Sequence, residues 1–413
     1  MDIELKKLID KETERQALTI DLIPSENIAS PEMLKILGSP LTNKYAEGYI
    51  DKRYYPSTEI YDEIEALAQK RALTAFGLKT RDWAVNVQPY SGSPANQAIY
   101  FALAKPGDVI MGLSLAHGGH LTHGHAVNFS GIIYQSLPYE LNLKTGLIDY
   151  SKLEKLAKGH SPKIIISGAT AYPRKIEFKR IGVIAKSVGA YHVADISHIA
   201  GIIAAGLHPS PFTYADVVMT TTHKTLRGPR GAVIFSRKSN LKSQISNLKI
   251  NEVIDKAVFP GLQGGPHMNA VAAIAWAFGE ALTPNFRNYQ KQILKNAAFL
   301  ARELKKSGFN LVSGGTDNHL LLVDLRGQKI DGSKAQELLE QSGISANRNA
   351  VPGDEKPFKP SGIRLGTPAI TSRGMKEKEM KEIASLIFQC LIKRKNVRRE
   401  VEKLCMMFPL PYK

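Results

Sequence analysis

Short apolar runs, each ending in a small or polar residue, recur between residues 83 and 236 of this 413-residue chain. Segments with helical spacing separate them, among them residues 59–76 and 178–188. This alternation predicts an α/β fold with a largely parallel sheet, and such sheets bind ligands at the carboxyl ends of their strands. The predicted strands are residues 83–87, 109–113, 163–167, 191–194, 216–220 and 232–236.

Lys224 stands just after the predicted strand 216–220 and just before a run of glycine and proline at 228–231. Partial burial and the nearby cations His223, Arg227 and Arg230 are expected to lower the pKa of Lys224. A lower pKa favours the free amine, which can attack an aldehyde. The structural alternative is a solvated lysine in a basic turn.

Two further polar residues follow predicted strands in the same way. Thr170 comes after strand 163–167, and Asp195 comes directly after strand 191–194. Because parallel strands end at one edge of a sheet, we expect Thr170, Asp195 and Lys224 to converge on one site. The alternative is that each is an ordinary loop residue, which fits any one of them better than it fits all three together.

The segment Ser91-Gly92-Ser93 opens a predicted helix, with Ser93 as N-cap and Pro94 as first helical residue. Small residues before a helix leave backbone N–H groups free to hold a phosphate. The sequence does not contain a P-loop at Lys224, because His223 stands where that motif requires glycine.

Four histidines lie in nine residues, at His117, His120, His123 and His125. Interspersed glycines indicate a loop, and neither a cysteine nor a completing carboxylate is near, so we do not expect a metal site. An imidazole that stacks on a flat cofactor ring is the functional interpretation. A hydrogen-bonded structural histidine is the alternative.

Arg364 lies among apolar residues in a predicted strand over 361–369 and needs an anionic partner. That partner is either a structural acid or a substrate carboxylate held by two hydrogen bonds. Residues 347–352 are predicted to form a loop.

The segment 41–56 has neither helical nor strand periodicity, but it carries tyrosines, acids and bases. This composition suits either an interface or a binding loop.

The net charge of +17 predicts attraction to polyanions, including phosphorylated cofactors and polycarboxylates. The basic run 393–399 is interpreted as a solvated helix face, and nucleic-acid binding is not expected because no recognised module accompanies it.

The sequence contains two cysteines and lacks an apolar run of membrane length. Its first helix, predicted over 3–18, lacks the apolar core of a signal peptide, so we expect a cytoplasmic protein.

A strand-end aspartate, a lysine, a phosphate-ready helix start and a loop histidine together suit pyridoxal 5'-phosphate. Longer motifs add to this, and the chain resembles serine hydroxymethyltransferases over almost its whole length. The motifs that carry the resemblance lie at residues 43–49, 115–124, 220–231, 259–266, 313–319 and 361–369.

The resemblance implies pyridoxal-phosphate fold type I, which is aspartate-aminotransferase-like. It has a mostly parallel central sheet in a large domain and a smaller C-terminal α+β domain. We expect a helical arm at 1–30, the large domain at 31–280 and the small domain at 281–413. The implied reaction transfers the hydroxymethyl carbon of L-serine to tetrahydrofolate, giving glycine and 5,10-methylenetetrahydrofolate. The implied assembly is a homodimer with shared active sites.

The family also implies a role for each matching residue. Lys224 carries the Schiff base, Asp195 pairs with the ring nitrogen, His120 stacks on the ring and Glu47 transfers protons. Thr221 is implied as a further catalytic residue, which with Arg230 supports the environment of the lysine. Further cofactor contacts are implied for Ser91, Gly92, Ser93, Thr170, His198, His223 and Arg230, and for Gly264 and Gly265 of a second subunit. Substrate and folate contacts are implied for Ser25, Tyr45, Tyr55, Arg364, Leu115, Gly119, Asn347 and Phe358.

Several positions depart from the family pattern, namely Pro56-Ser57, Tyr90, His267 and Asn269. Pro56 could stiffen the loop that carries Tyr55. Two alternatives to the folate-dependent transferase remain at this stage. One is a folate-independent pyridoxal phosphate aldolase, and the other is a nucleic-acid-binding protein that has lost catalysis.

Overall fold

A computed structural model describes residues 2–242, 248–354 and 359–412. The strands are β1 Ile20–Asp21, β2 Gly48–Tyr49, β3 Lys52–Arg53, β4 Trp83–Asn86, β5 Val109–Leu113, β6 Gln135–Tyr139, β7 Ile164–Ser167, β8 Tyr191–Asp195, β9 Val217–Thr221, β10 Ala232–Arg237, β11 Asn310–Leu311, β12 Leu320–Asp324, β13 Ile344–Ser345, β14 Asn347–Asn349 and β15 Gly362–Gly366. The helices are α1 Ile3–Ala17, α2 Pro31–Leu37, α3 Glu59–Ala75, α4 Gly92–Leu103, α5 Phe129–Ile133, α6 Tyr150–His160, α7 Phe178–Ser187, α8 Ala200–Ala204, α9 Ile250–Lys256, α10 Met268–Ala281, α11 Pro284–Lys306, α12 Gly332–Gln341, α13 Pro368–Ser372, α14 Glu377–Leu391 and α15 Arg398–Met407.

The central sheet has seven strands in the order β4-β10-β9-β8-β7-β5-β6. Strands β9, β8, β7, β5 and β6 run parallel, while β10 is antiparallel to both β9 and β4. The predicted fold class is therefore confirmed, and the strands predicted from the apolar runs all occur within a residue or two.

Six of the seven strands are buried, which explains why they are continuous apolar runs, whereas the edge strand β6 exposes Gln135 and Ser136 and was not predicted. Successive side chains of a strand point to opposite faces. In β7, Ile165 accordingly packs in one apolar core, while Ile164 and Ile166 pack in the core on the other face. Helices supply the opposing surfaces, such as α7 through Phe178 and α4 through Ile99.

A second sheet is antiparallel, with the order β11-β12-β15-β14, and it has a core of its own. The N-terminal segment joins this part of the molecule. Ile20 and Leu22 are fully buried in the second core, and β1 pairs in parallel with β13. Within the described ranges, the chain has no helix that is both long and apolar enough to cross a membrane.

The start of α4 differs from the prediction. Ser91, not Ser93, is the N-cap, and the N–H of Ala95 already donates to the Ser91 carbonyl at 3.1 Å. Pro94 therefore lies inside the first turn. It is tolerated there because the N–H groups of a first turn have no partner within the helix.

Two predictions near Arg364 are also wrong. The predicted strand 361–369 ends at Gly366, and Pro368 begins the short helix α13. Residues 347–349 were predicted as loop but form β14, where Asn347 pairs with Arg364 of β15. This pairing is a long-range contact, and polar residues such as Asn347 give no local strand signal.

Candidate active site

The carboxyl ends of β7, β8 and β9 and the start of α4 surround a cavity of about 240 Å³. Parallel pairing brings these ends to one edge, as the sequence predicts. The loop after β5 closes a further side with its histidines. The lining residues are Ser91, Gly92, Ser93, Asn96, His120, His123, Ala169, Thr170, Asp195, Ser197, His198, Thr221, His223, Lys224 and Arg230.

Lys224 reaches this cavity from the loop that follows β9. Its Nζ donates to Thr221 Oγ1 at 2.8 Å, and the N–H of Thr221 donates to Ser197 Oγ at 3.0 Å. Burial lowers the pKa of Lys224 to about 8, although the charge of Asp195 opposes this shift. The lysine is therefore much closer to its free amine at neutral pH than a solvated lysine is.

The cations that help to lower this pKa are Arg364 and Arg230. The prediction that His223 and Arg227 act in the same way is wrong. Burial lowers the pKa of His223 to about 3, so its ring is neutral. The Arg227 guanidinium lies over the ring of Tyr289, 4.7 Å from the centroid.

Asp195 is the last residue of β8, and its carboxylate accepts three hydrogen bonds. Oδ2 accepts from His123 Nε2 at 3.2 Å and from Asn96 Nδ2 at 3.1 Å, while Oδ1 accepts from the N–H of Ser197 at 3.0 Å. Burial by itself would raise the pKa of Asp195. The hydrogen bond and charge of His123 outweigh it, together with His120 and Ser197, so the pKa falls below its usual range. Asp195 therefore stays ionised.

His120 lies beside this group as a neutral ring, because burial lowers its pKa to about 4. Its Nδ1 accepts from the N–H of Thr122 at 3.2 Å and lies 2.7 Å from the hydroxyl of Thr122. These contacts fix the ring through Nδ1. The ring itself lines the cavity.

Arg364 projects from β15 and is only 8% exposed. Its Nε donates to Asn347 Oδ1 at 3.1 Å, and Nη1 donates to the Thr170 carbonyl. Burial lowers the pKa of Arg364 to about 10. Within residues 2–242, 248–354 and 359–412, these neutral groups are its hydrogen-bond partners, so the structural acid considered above is not found.

The remaining predicted residues surround this centre. Thr170 Oγ1 donates to the Gly119 carbonyl at 2.8 Å. His198 Nδ1 lies 3.2 Å from His319 Nε2, and burial lowers the pKa of His198 well below its usual value. Leu115 begins a short 3-10 turn and is partly exposed. Ser25 lines a neighbouring cavity of about 430 Å³ that shares His223 and Arg230 with the first.

Five predicted residues form a separate group, which we call the tyrosine–glycine cluster: Tyr45, Glu47, Tyr55, Gly264 and Gly265. A Cβ added to Gly265 would lie 3.3 Å from Glu47 Cγ and 3.5 Å from Tyr45 Cδ1. The rings of Tyr45 and Tyr55 are 5.3 Å apart. This cluster lies on an exposed face and not among the residues that line the Lys224 cavity. Phe358 lies outside the described residues.

The sequence arguments missed the residues that hold Asp195, which are His123, Asn96 and Ser197. His123 was noted only as one of four loop histidines. Its contact with Asp195 spans 72 positions, and that of Asn96 spans 99. No spacing rule links residues so far apart. Of the three, Asn96 alone could have been found from its local position, because it lies in the first turns of the helix that starts the predicted phosphate site. In the structure it is buried.

A sheet of this topology, with a buried lysine and an ionised aspartate at neighbouring strand ends, defines a pyridoxal phosphate-dependent enzyme of fold type I. The family model for serine hydroxymethyltransferase matches residues 1–387, so the chain belongs to the serine hydroxymethyltransferase family. It interconverts serine and glycine with pyridoxal phosphate as cofactor and tetrahydrofolate as co-substrate. Family membership thus favours the folate-dependent transferase over the other two functions considered from the sequence.

Proposed function

We propose that the Lys224 cavity holds pyridoxal phosphate and that the residues around it carry the serine–glycine reaction. The buried Arg364, which lacks a carboxylate partner among the described residues and contacts the Thr170 carbonyl at the cavity, is the observation that carries this assignment. A guanidinium buried without an anion is costly, and a substrate carboxylate would satisfy it through two hydrogen bonds.

The residues present fit the cofactor. The cradle before α4 is tight, since a Cβ added to Gly92 would meet Thr221 Cγ2 at 2.7 Å. Ser91, Gly92 and Ser93 offer backbone N–H groups and hydroxyls to the phosphate. Asp195, kept ionised, suits a protonated ring nitrogen. When bound, pyridoxal phosphate supplies an aldehyde to the Lys224 amine and a ring that accepts electrons from the substrate carbon.

Each side chain around the cavity then has a defined task. Thr221 holds the Lys224 amine by accepting its hydrogen bond. The neutral His120 would stack on the ring, because a charged imidazole would oppose the protonated ring nitrogen. Thr170 and His198 would hold the ring hydroxyl, and Arg230 and His223 lie between this cavity and the one that Ser25 lines.

The tyrosine–glycine cluster completes the site of a second subunit. Its five residues lie together on an exposed face, and Tyr45 is 64% exposed in the single chain. In a dimer, Gly264 and Gly265 would contact the phosphate bound by the partner, while Glu47 transfers protons and Tyr45 and Tyr55 border its substrate. The site of each subunit is incomplete without the other, which favours an obligate homodimer.

The folate co-substrate is assigned to Leu115, Gly119 and Asn347, and Phe358, which lies outside the described residues, is assigned to it on the family resemblance alone. Asn347 accepts from Arg364 Nε and Gly119 accepts from Thr170, so both border the proposed serine site. This arrangement brings the folate acceptor next to the carbon that serine releases.

We also propose the domain boundaries of the sequence prediction, with an arm at 1–30, a large domain at 31–280 and a small domain at 281–413. The separate apolar cores of the two sheets support the division. A cytoplasmic location is proposed because Cys390 and Cys405 are both free and buried.

Two variants test these assignments. Lys224→Ala should abolish the visible absorbance of lysine-bound cofactor while leaving the fold intact by circular dichroism. Arg364→Gln should retain that absorbance but raise the KM for serine at least about a hundredfold, since a charge-assisted bidentate contact is lost. A wild-type-like KM in Arg364→Gln would reject the carboxylate assignment. Serine cleavage that tetrahydrofolate does not stimulate would reject the folate site.

A further inference from the structure

Tyr90 connects two segments of the chain. One is proposed to bind the cofactor phosphate of its own subunit, and the other is proposed to bind that of the partner subunit. It directly precedes Ser91 of the phosphate cradle, and its hydroxyl donates to the Gly265 carbonyl at 2.8 Å. Its ring stacks on His267, with 4.3 Å between centroids and 5° between planes. Tyr90 and His267 are both departures from the family pattern, and here they contact each other.

Gln263 strengthens the same connection. Its Oε1 accepts from the N–H of Tyr90 at 3.1 Å, and its Nε2 donates to the Gln88 carbonyl at 3.0 Å. Residues 88–90 and 263–267 of one chain are therefore held together by three hydrogen bonds and one ring stack.

The glycine turn does not line the Lys224 cavity of its own chain. Gly264 is exposed, and Gly265 packs on Glu47 and Tyr45. Within the described part of the chain, the N–H groups of Gly264 and Gly265 donate to no acceptor. Pro266 has no N–H, so these two amides are the backbone donors that the turn can offer to an anion.

We propose that Tyr90 is a positioning residue that fixes the Gly264–Gly265 turn for the cofactor phosphate of the partner subunit. The proposal rests on the shared-site dimer described above. The hydrogen bond to the Gly265 carbonyl holds the orientation of that residue, and amides bind an anion well only when their directions are fixed in advance. Since Ser91 follows Tyr90, one side chain thus links the phosphate cradles of both sites.

Tyr90 could act on the partner's cofactor site through the glycine turn or on its own subunit's site through Ser91. Mixed dimers separate these two effects. In the reference dimer one subunit carries Lys224→Ala, so absorbance of lysine-bound cofactor reports only the intact subunit. Tyr90→Phe is then added to the Lys224→Ala subunit in one preparation, and to the intact subunit in another. Apoprotein of each is titrated with pyridoxal phosphate. The substitution keeps the ring and its stack on His267, so the fold is retained.

We expect the dissociation constant to rise about three- to tenfold when Tyr90→Phe is on the Lys224→Ala subunit, as loss of one hydrogen bond predicts. We expect no change when it is on the intact subunit. The proposal would be overturned if the dissociation constant rose only when Tyr90→Phe is on the intact subunit, or if it rose in neither dimer. A reference dimer that never shows the absorbance would instead reject the proposed cofactor site. A monomer in sedimentation would reject the shared site and this inference with it.

Hydrogen exchange gives a readout in the apoprotein, without cofactor. Tyr90→Phe should accelerate exchange of the Gln263 amide, whose N–H donates to the Val258 carbonyl at 2.9 Å, and leave exchange of residues 109–113 in β5 unchanged. His267→Ala, which removes the stack but not the hydroxyl, is the matched variant and should have the smaller effect. Unchanged exchange in Tyr90→Phe would contradict the role of the hydroxyl in holding the turn.

Discussion

The His123 imidazole holds the Asp195 carboxylate, with 3.2 Å between Nε2 and Oδ2. The Nδ1 of His123 accepts from the backbone N–H of His120, so Nε2 carries the proton that is donated to Asp195. The loop after β5 thereby reaches the end of β8. The histidine that orients the aspartate is three residues from the histidine proposed to stack on the cofactor.

Replacing His123 should weaken cofactor binding. His123→Leu removes a hydrogen bond to a buried carboxylate, and such bonds contribute about 1.5–3 kcal/mol, so we expect affinity to fall at least about tenfold. The dissociation constant from titration of apoprotein measures this. His125→Leu is the matched control, since His125 lies in the same loop but does not contact Asp195. Equal affinities of the two variants would disprove the role of His123.

Attachment of the cofactor to the apoprotein should depend on pH through Lys224. Its pKa is lowered to about 8, and only the neutral amine attacks an aldehyde. The attachment rate should therefore rise about tenfold per pH unit below 8 and level off above it. Stopped-flow absorbance of reconstitution, compared with a free lysine derivative under the same conditions, gives the profile. A rate still rising steeply above pH 9 would show that burial does not shift this lysine.

Arg53 should control the rate through the loop that carries Glu47. Its Nη1 donates to the carbonyls of Ala46 and Gly48, on either side of Glu47, at 2.9 and 2.8 Å. The same guanidinium pairs with the fully buried Glu65 and with Asp62. Lysine cannot reach all four groups, so Arg53→Lys should lower kcat for serine cleavage about tenfold or more.

The control for Arg53 is its exposed neighbour in the same hairpin. Lys52→Ala should leave kcat within about twofold of the wild type, because exposed substitutions rarely disturb a structure. Both variants should remain dimeric in sedimentation. If Arg53→Lys cleaves serine at the wild-type rate, the guanidinium does not position Glu47.

Arg373 should be a strong determinant of stability. It is buried, and it donates to the carbonyls of Ala17 and Thr19 at the end of α1 and of Cys405 and Phe408 at the end of α15, at 2.7 to 2.9 Å. It thus supplies donors to carbonyls at two helix ends, of which the Cys405 carbonyl also accepts from the N–H of Phe408.

Arg373→Met should lower the free energy of unfolding by about 3 kcal/mol or more, since several buried carbonyls lose their donor. Urea denaturation measures this loss at fixed protein concentration. The exposed Arg399→Met on α15 is the control, and we expect it to change the stability by less than about 0.5 kcal/mol. Similar midpoints for the two variants would contradict this account.

Six strands of the central sheet could be predicted because they are buried and therefore leave continuous apolar runs in the sequence, whereas the edge strand β6 could not, because its exposed Gln135 and Ser136 break that pattern. The strand-end positions of Thr170, Asp195 and Lys224 followed from the same pattern. Where the prediction failed, at β14 and at the start of α4, the outcome depended on a pairing partner or on the backbone angles of one residue. The local periodicity of the sequence predicts neither a pairing partner nor the backbone angles of a single residue.

By itself, the sequence determined the fold class, the strand edge at which the cavity forms and the family to which the chain belongs. Only the tertiary structure decided which histidine binds Asp195, which cations lie near Lys224 and that the tyrosine–glycine cluster does not line the cavity. Those contacts join residues far apart in the chain, and burial, which sets the charge state of Lys224 and Asp195, exists only after the chain has folded. Local residue patterns predict where helices and strands occur, but they do not predict the distances between side chains that are far apart in the chain.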